Sequence, residues 1–185
     1  MEKSLFGFVS YKLCNYVLQK YTTKKLAWNY TSLIHATTTC FVWTFGTETM
    51  MLCNSGGYFL HDIYYILKNE KLNISNLLYF YHHIACLYYM RLSPLKYNWF
   101  NIIGVGELSN IPNYFVYHYL KTDPGSEKLK TWKSVQKVWY GGMRTIVAGV
   151  MTYREINHPV RFWKLLPVSP LFILGILWAG IIIKK

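Results

Sequence analysis

Apolar positions along this chain gather in long runs, and the charges that divide them are sparse. No charged residue falls between Lys25 and Glu48, between Lys71 and Arg91, or between Lys164 and Lys184. Each interval approaches the ~20 residues with which an α-helix crosses a bilayer. Cut at charges and turn residues, the pattern predicts helices over Leu26–Phe45, Thr49–Leu67, Ile74–Met90, Tyr97–Leu120, Trp132–Tyr153 and Leu165–Ile183. Leu5–Leu18 is a weaker first segment, interrupted by Lys12, which either spans or lies in the interface. Pro112 should kink the segment that contains it, and Asp123-Pro124-Gly125 gives the longest polar loop its turn chemistry. The expected fold is all-α: a polytopic transmembrane bundle of six to seven spans enclosing a polar-lined cavity. It forms one domain over residues 1–185, with 1–20 as the weak first span and 26–183 as the core bundle.

The net charge of +12 raises the question of nucleic acid. The lysines, however, sit at the ends of apolar segments, in "QKYTTKK", "LKNEK", "SEKLKTWKSVQK" and "IIIKK". Loop-flanking cations are the positive-inside signal of membrane proteins, whereas a nucleic-acid reader needs a basic stripe on one surface. No nucleic-acid partner is expected. Alternating the loops places the lysine-rich set and the C-terminus in the cytosol, with the N-terminus opposite. The sequons at Asn29 and Asn73 then fall on or near the cytosolic side and stay unmodified. Cys14, Cys40, Cys53 and Cys86 are scattered, without a CxxC pair, and suit small buried residues. No removable signal peptide is recognisable, so the first membrane segment would serve as the targeting signal.

Isolated polar residues within the apolar segments carry the candidate chemistry. Asp62 lies in "GGYFLHDIYYIL", Glu107 in "NIIGVGELSNIPNY" and Arg144 in "VWYGGMRTIVAGV". A charge at the bilayer centre costs roughly 2.5 kcal/mol or more unless it meets a partner or a watered cavity. These three are therefore expected to meet in the bundle interior, joined by His35, His82 and His83. Asp62 and Arg144 also suit a purely structural ion pair. At 1.5 Å per residue, the group spans depths from about 8 Å to about 20 Å from the cytosolic ends. Helical spacing puts Trp28, Ser32, His35 and Thr39 on one face, Tyr58, Asp62 and Tyr65 on another, and Glu107, Asn110 and Tyr114 on a third. His82 and His83 point about 100° apart, so one faces the cavity and the other a helix seam. Gly56–Gly57 and Gly141–Gly142 suit close helix packing. No metal is expected: the six histidines lack the HxxxH and HxxHH spacings of membrane di-iron enzymes, and no HExxH occurs.

"WNYTSLIHA" at Trp28–Ala36, "SGGYFLHDIYYIL" at Ser55–Leu67, "YHHIACLYY" at Tyr81–Tyr89, "GELSNIPN" at Gly106–Asn113, and Arg144 after "VWYGGM" follow a familiar order. In that order the chain resembles the TLC-domain family of the translocating-chain-associating membrane protein, the longevity-assurance ceramide synthases and the type 8 neuronal ceroid lipofuscinosis protein. The resemblance covers essentially the whole chain. It implies a multispan lipid-handling protein of the endoplasmic reticulum, and it places His82 and His83 at the histidine pair of the synthases' acyl-transfer motif. The synthases follow that pair with a His-Asp segment and further aspartates, where this chain has "GELSNIPNY", and it lacks their homeobox-like segment. The "ELS" version looks closer to the small TLC-domain proteins of lipid homeostasis.

Two functions follow as expectations. In the first, an intramembrane pocket binds a lipid or acyl chain, with His35, Tyr58, Asn110 and Arg144 as ligand-binding residues. In the second, a ceramide-synthase-like N-acyltransferase takes acyl-CoA as co-substrate, without a resident cofactor. His82 or His83 then acts as base or acyl acceptor, Asp62 or Glu107 orients it, and Arg144 binds an oxygen. The expected partners are membrane lipid or acyl-CoA, with a homo-oligomer left open.

Overall fold

A computed structural model describes residues 2–71, 73–91, 99–147, 150, 153 and 169–184. Among these the regular structure is entirely helical. The helices are α1 (Glu2–Leu18), α2 (Lys24–Phe45), α3 (Glu48–Met51), α4 (Gly57–Asn69), α5 (Ile74–Tyr89), α6 (Trp99–Thr122), α7 (Glu127–Gly142) and α8 (Ser169–Lys184). Two wider π-helical turns interrupt the pattern: Leu52–Gly56 joins α3 to α4, and Met143–Val147 follows α7. The expected segments thus recur as helices, although much of 148–153 and the start of Leu165–Ile183 lie outside the described residues.

Side-chain caps explain where helices begin. Thr23 Oγ1 accepts the Leu26 amide at 3.3 Å, Asn73 Oδ1 that of Asn76 at 2.9 Å, and Ser126 Oγ that of Leu129 at 3.3 Å. Each satisfies an amide that the helix itself leaves without a partner. The Ser126 cap starts α7 at Glu127, five residues before the expected Trp132. Its lysine-rich first turns are exposed helix, with Lys130 paired to Glu127 at 2.6 Å.

No helix among the described residues is both long and apolar enough to cross a membrane. The long helix α2 is diluted by Asn29, Thr31, Ser32, His35 and Thr37–Thr39. Among the described residues the strongly apolar α8 covers 16.

The chain divides into two compact units, residues 1–104 and 105–185. In the first, α1 packs on α4 and the neighbouring π-turn with backbones in contact. A methyl group built at Gly7 would lie 2.0 Å from the Cys53 carbonyl oxygen, and one at Gly57 would lie 2.5 Å from Gly7 Cα. Only glycine permits this approach. The Ser4 hydroxyl bonds the Leu52 carbonyl at 3.1 Å across the same crossing. The buried stripe of α1 is Gly7, Tyr11 and Asn15, while Leu5, Phe6, Val9, Leu13 and Val17 face outward.

In the second unit, α6 and α7 run antiparallel around the Asp123–Ser126 turn. Phe115 stacks on Trp132 at 4.2 Å, and Gln136 Nε2 donates to Asn113 Oδ1 at 2.9 Å. Helix α6 continues through Pro112, which has no amide to give the Leu108 carbonyl four residues earlier. Trp139 Nε1 donates to that carbonyl instead, at 3.1 Å. Gly175 on α8 faces Arg144, a built methyl lying 3.6 Å from its Cδ. Gly142 differs from the expected packing glycine, since a methyl there would meet no described atom within 4 Å.

Candidate functional site

The candidate residues fall into two groups, one in each unit. In the first unit, the inward faces of α2 and α4 meet rung by rung in antiparallel order. Trp28 Nε1 donates to Asp62 Oδ1, and the Trp28 ring stacks on Tyr65 at 4.6 Å. One turn on, the Tyr58 hydroxyl donates to Ser32 Oγ at 2.7 Å. The His35 imidazole lies flat on the Tyr58 ring, 3.9 Å between centroids and 5° between planes. Thr39 Oγ1 then sits 3.1 Å from Ser55 Oγ. Each rung satisfies polar groups that would be costly to bury alone.

The π-turn turns Asn54 and Ser55 inward together. Asn54 Nδ2 donates to Thr39 Oγ1 at 2.8 Å, and its Oδ1 accepts from the hydroxyls of Tyr11 and Thr38. Tyr11 and Thr39 hydroxyls also lie 3.5 Å and 3.3 Å from His35 Nδ1. His35 is completely enclosed. Its surroundings fix the ring by stacking and by hydroxyls, which is a binding or structural environment.

Asp62 meets α5 as well. Its Oδ2 lies 3.1 Å from His83 Nδ1, at ion-pair distance, with both side chains buried. His83 also stacks on Phe59 at 5.3 Å. His82 is half-buried and lies beside Cys86, with Nε2 3.9 Å from Sγ. The pair therefore divides as the helical geometry requires: His83 turns to the carboxylate and His82 to a different sector. Asp62 thus places a carboxylate beside one imidazole nitrogen of His83.

The second unit gathers Glu107, Asn110 and Arg144. The Met143–Val147 π-turn carries Arg144, whose Nη2 donates to the Asn110 side-chain oxygen at 3.0 Å and the Gly106 carbonyl at 3.2 Å. Asn110 Nδ2 in turn donates to Glu107 Oε2 at 3.3 Å, and Glu107 is buried. The Arg144 guanidinium stands 5.3 Å over the Tyr140 ring. Asn110 thus links the two charges, so a cation and an anion share one amide.

The sequence reading missed Tyr11, Asn15, Asn54 and Ser55. Asn15 Nδ2 donates to Thr31 Oγ1 at 3.1 Å, drawing α1 into the polar seam. The polar residues of a weak segment were the available signal. Among the described residues, no group of three or more His, Cys, Asp or Glu side chains is arranged to hold a metal ion. No family model matches the chain, and neither a curated protein nor a solved structure matches it.

Proposed function

We propose that this chain is a multispan membrane protein of lipid handling, of the TLC-domain type it resembles, in which the α2–α4–α5 polar seam recognises a lipid or acyl-chain carbonyl region. The observation that carries the reading is an inverted distribution of side chains. Asn15, Thr31, Ser32, His35, Thr39, Ser55, Asp62 and His83 are buried, while Leu5, Phe6, Val9, Leu13, Ile34, Phe41 and Phe45 are exposed. In water, leaving a large apolar side chain uncovered forgoes about 1.5–3 kcal/mol. In acyl chains the same outward faces are at home, and the polar groups must find one another inside. Asn29, Thr31, Ser32, His35 and Thr39, which dilute the hydropathy of α2, are all buried on this interior side.

A second reading is favoured by the Asp62–His83 contact: acyl transfer from acyl-CoA to an amine. His83, oriented by Asp62, would take the proton of the attacking amine; the acyl carbonyl passes to nitrogen, and the CoA thiolate leaves and is protonated. In this reading His82 assists from the adjacent position.

Purified wild type, Asp62→Asn, His82→Ala and His83→Ala separate the two. Lipid extracted with each protein is identified by mass spectrometry, and acyl-CoA consumption is followed with a panel of amine acceptors. A lipid retained unmodified by wild type and lost with Asp62→Asn supports binding. Turnover that falls in both His variants supports transfer. Equal lipid content and equal turnover in all four proteins would remove the seam from function.

A further inference from the structure

The opposite face of α4 carries a group that neither function uses. His61, Tyr64 and Lys68 follow at i, i+3 and i+7, and so share one face, turned well away from Asp62. Helix α1 meets this face with Phe8 and Lys12, one turn apart: Phe8 packs edge-on to Tyr64 at 5.9 Å. Lys12 Nζ stands 5.1 Å from the Tyr64 ring centroid and Lys68 Nζ 5.5 Å from the same centroid. Lys68 Nζ also donates to the Tyr64 hydroxyl at 3.0 Å.

Two ammonium groups are therefore drawn to one ring, from two helices, with no carboxylate paired to either among the described residues. The Tyr64 hydroxyl accepts from Lys68, which leaves its own proton for a further acceptor. Behind them His61 is buried, and its Nδ1 has no hydrogen-bond partner among the described residues. Two ammonium groups and a phenol thus converge here, and the lysines bring two positive charges and several donors. A ligand that only accepts, and that carries more than one negative charge, matches the set.

We propose that the α1–α4 seam at Lys12, Tyr64 and Lys68, backed by His61, is a phosphate-binding site. The flexible lysine stems let both ammonium groups close on one tetrahedral anion. Phosphate is favoured over a carboxylate because it presents acceptor oxygens in several directions to donors from two helices. Two sources supply this chemistry: the headgroup of a phosphate-bearing lipid and free phosphate. The lipid source rests on the membrane reading above, and the site itself does not. Lys68 also lies at the end of α4, where a headgroup would stand.

The test uses the full chain, purified in a neutral detergent, titrated separately with phosphatidic acid, diacylglycerol, oleate and inorganic phosphate. Native mass spectrometry counts adducts and tryptophan fluorescence follows affinity. Wild type should bind phosphatidic acid about twenty-five-fold more tightly than K12Q/K68Q, at about fivefold for each lysine at an anionic headgroup. Y64F should lose part of that difference, and K20Q/K24Q, with the same loss of charge, should match wild type. Diacylglycerol and oleate should not distinguish the variants. Binding of inorganic phosphate as tight as phosphatidic acid identifies free phosphate as the source; binding of phosphatidic acid alone identifies the lipid. Equal phosphatidic acid and phosphate affinities in wild type and K12Q/K68Q would overturn the site, as would an equal loss in K20Q/K24Q. Asp62→Asn should leave this binding intact, which separates failure here from failure of the α2–α4–α5 seam.

Discussion

Gly7→Ala tests the backbone crossing of α1 on α4. The added methyl would lie 2.0 Å from the Cys53 carbonyl oxygen and 3.1 Å from Gly57 Cα. A carbon–oxygen contact settles near 3.3 Å or beyond, so α1 must withdraw by about 1 Å or more. That movement pulls the Ser4 hydroxyl away from the Leu52 carbonyl, now 3.1 Å distant, and loosens the Tyr11–Asn54 contact. Overpacking with such a shift costs typically 1–3 kcal/mol. Alanine's better helix propensity returns up to about 1 kcal/mol. The 2.0 Å clash with backbone puts the cost at the upper end of that range, so the expected net loss is about 1–2 kcal/mol, or roughly 2–8 °C in Tm for a chain of this size. Gly142→Ala is the control, since no described atom lies within 4 Å of its methyl; it should be neutral or stabilising by up to about 1 kcal/mol. Circular dichroism melts of the detergent-purified proteins measure both. A Gly7→Ala protein that melts with wild type would refute the backbone contact.

Further substitutions probe individual polar contacts. Asp62→Ala leaves the Trp28 indole and His83 without their carboxylate and should cost about 3–5 kcal/mol, whereas Asp62→Asn, which keeps an acceptor, should cost less; chemical denaturation orders them. Tyr58→Phe removes the 2.7 Å bond to Ser32 but keeps the ring under His35, so a loss of about 0.5–1.5 kcal/mol is expected. Trp139→Phe should destabilise by about 1 kcal/mol when Pro112 is present and by almost nothing in Pro112→Ala, where the restored amide serves Leu108; a double-mutant cycle of melting curves detects the coupling.

Much of the helix layout was legible because charges and turn residues mark the ends. The faces were legible too: a fixed 3.6-residue period puts 28, 32 and 35 on one face and 58, 62 and 65 on another, and these residues do touch. The two π-turns were not, because an extra residue in a turn has no period of its own, and so Asn54 and Ser55 went unread. The start of α7 was misplaced because a lysine-rich exposed turn looks like a loop until its Ser126 cap is seen. The choice of His83 over His82 for Asp62 needed the position of α5, which spacing within one helix does not contain. Arg144 likewise takes the Asn110 oxygen and the Gly106 carbonyl, partners from a different helix.

The most direct test of the inverted distribution uses single cysteines, in a background with Cys14, Cys40, Cys53 and Cys86 replaced, placed at Phe6, Leu13 and Phe41 in turn. Each is reacted in native membranes with a water-soluble maleimide, and in parallel the protein is labelled with a carbene precursor dissolved in the bilayer. The expected result is carbene insertion along these outward faces and negligible maleimide reaction until detergent is added. Rapid maleimide labelling at all three positions, with no carbene insertion, would place those faces in water and contradict the membrane reading.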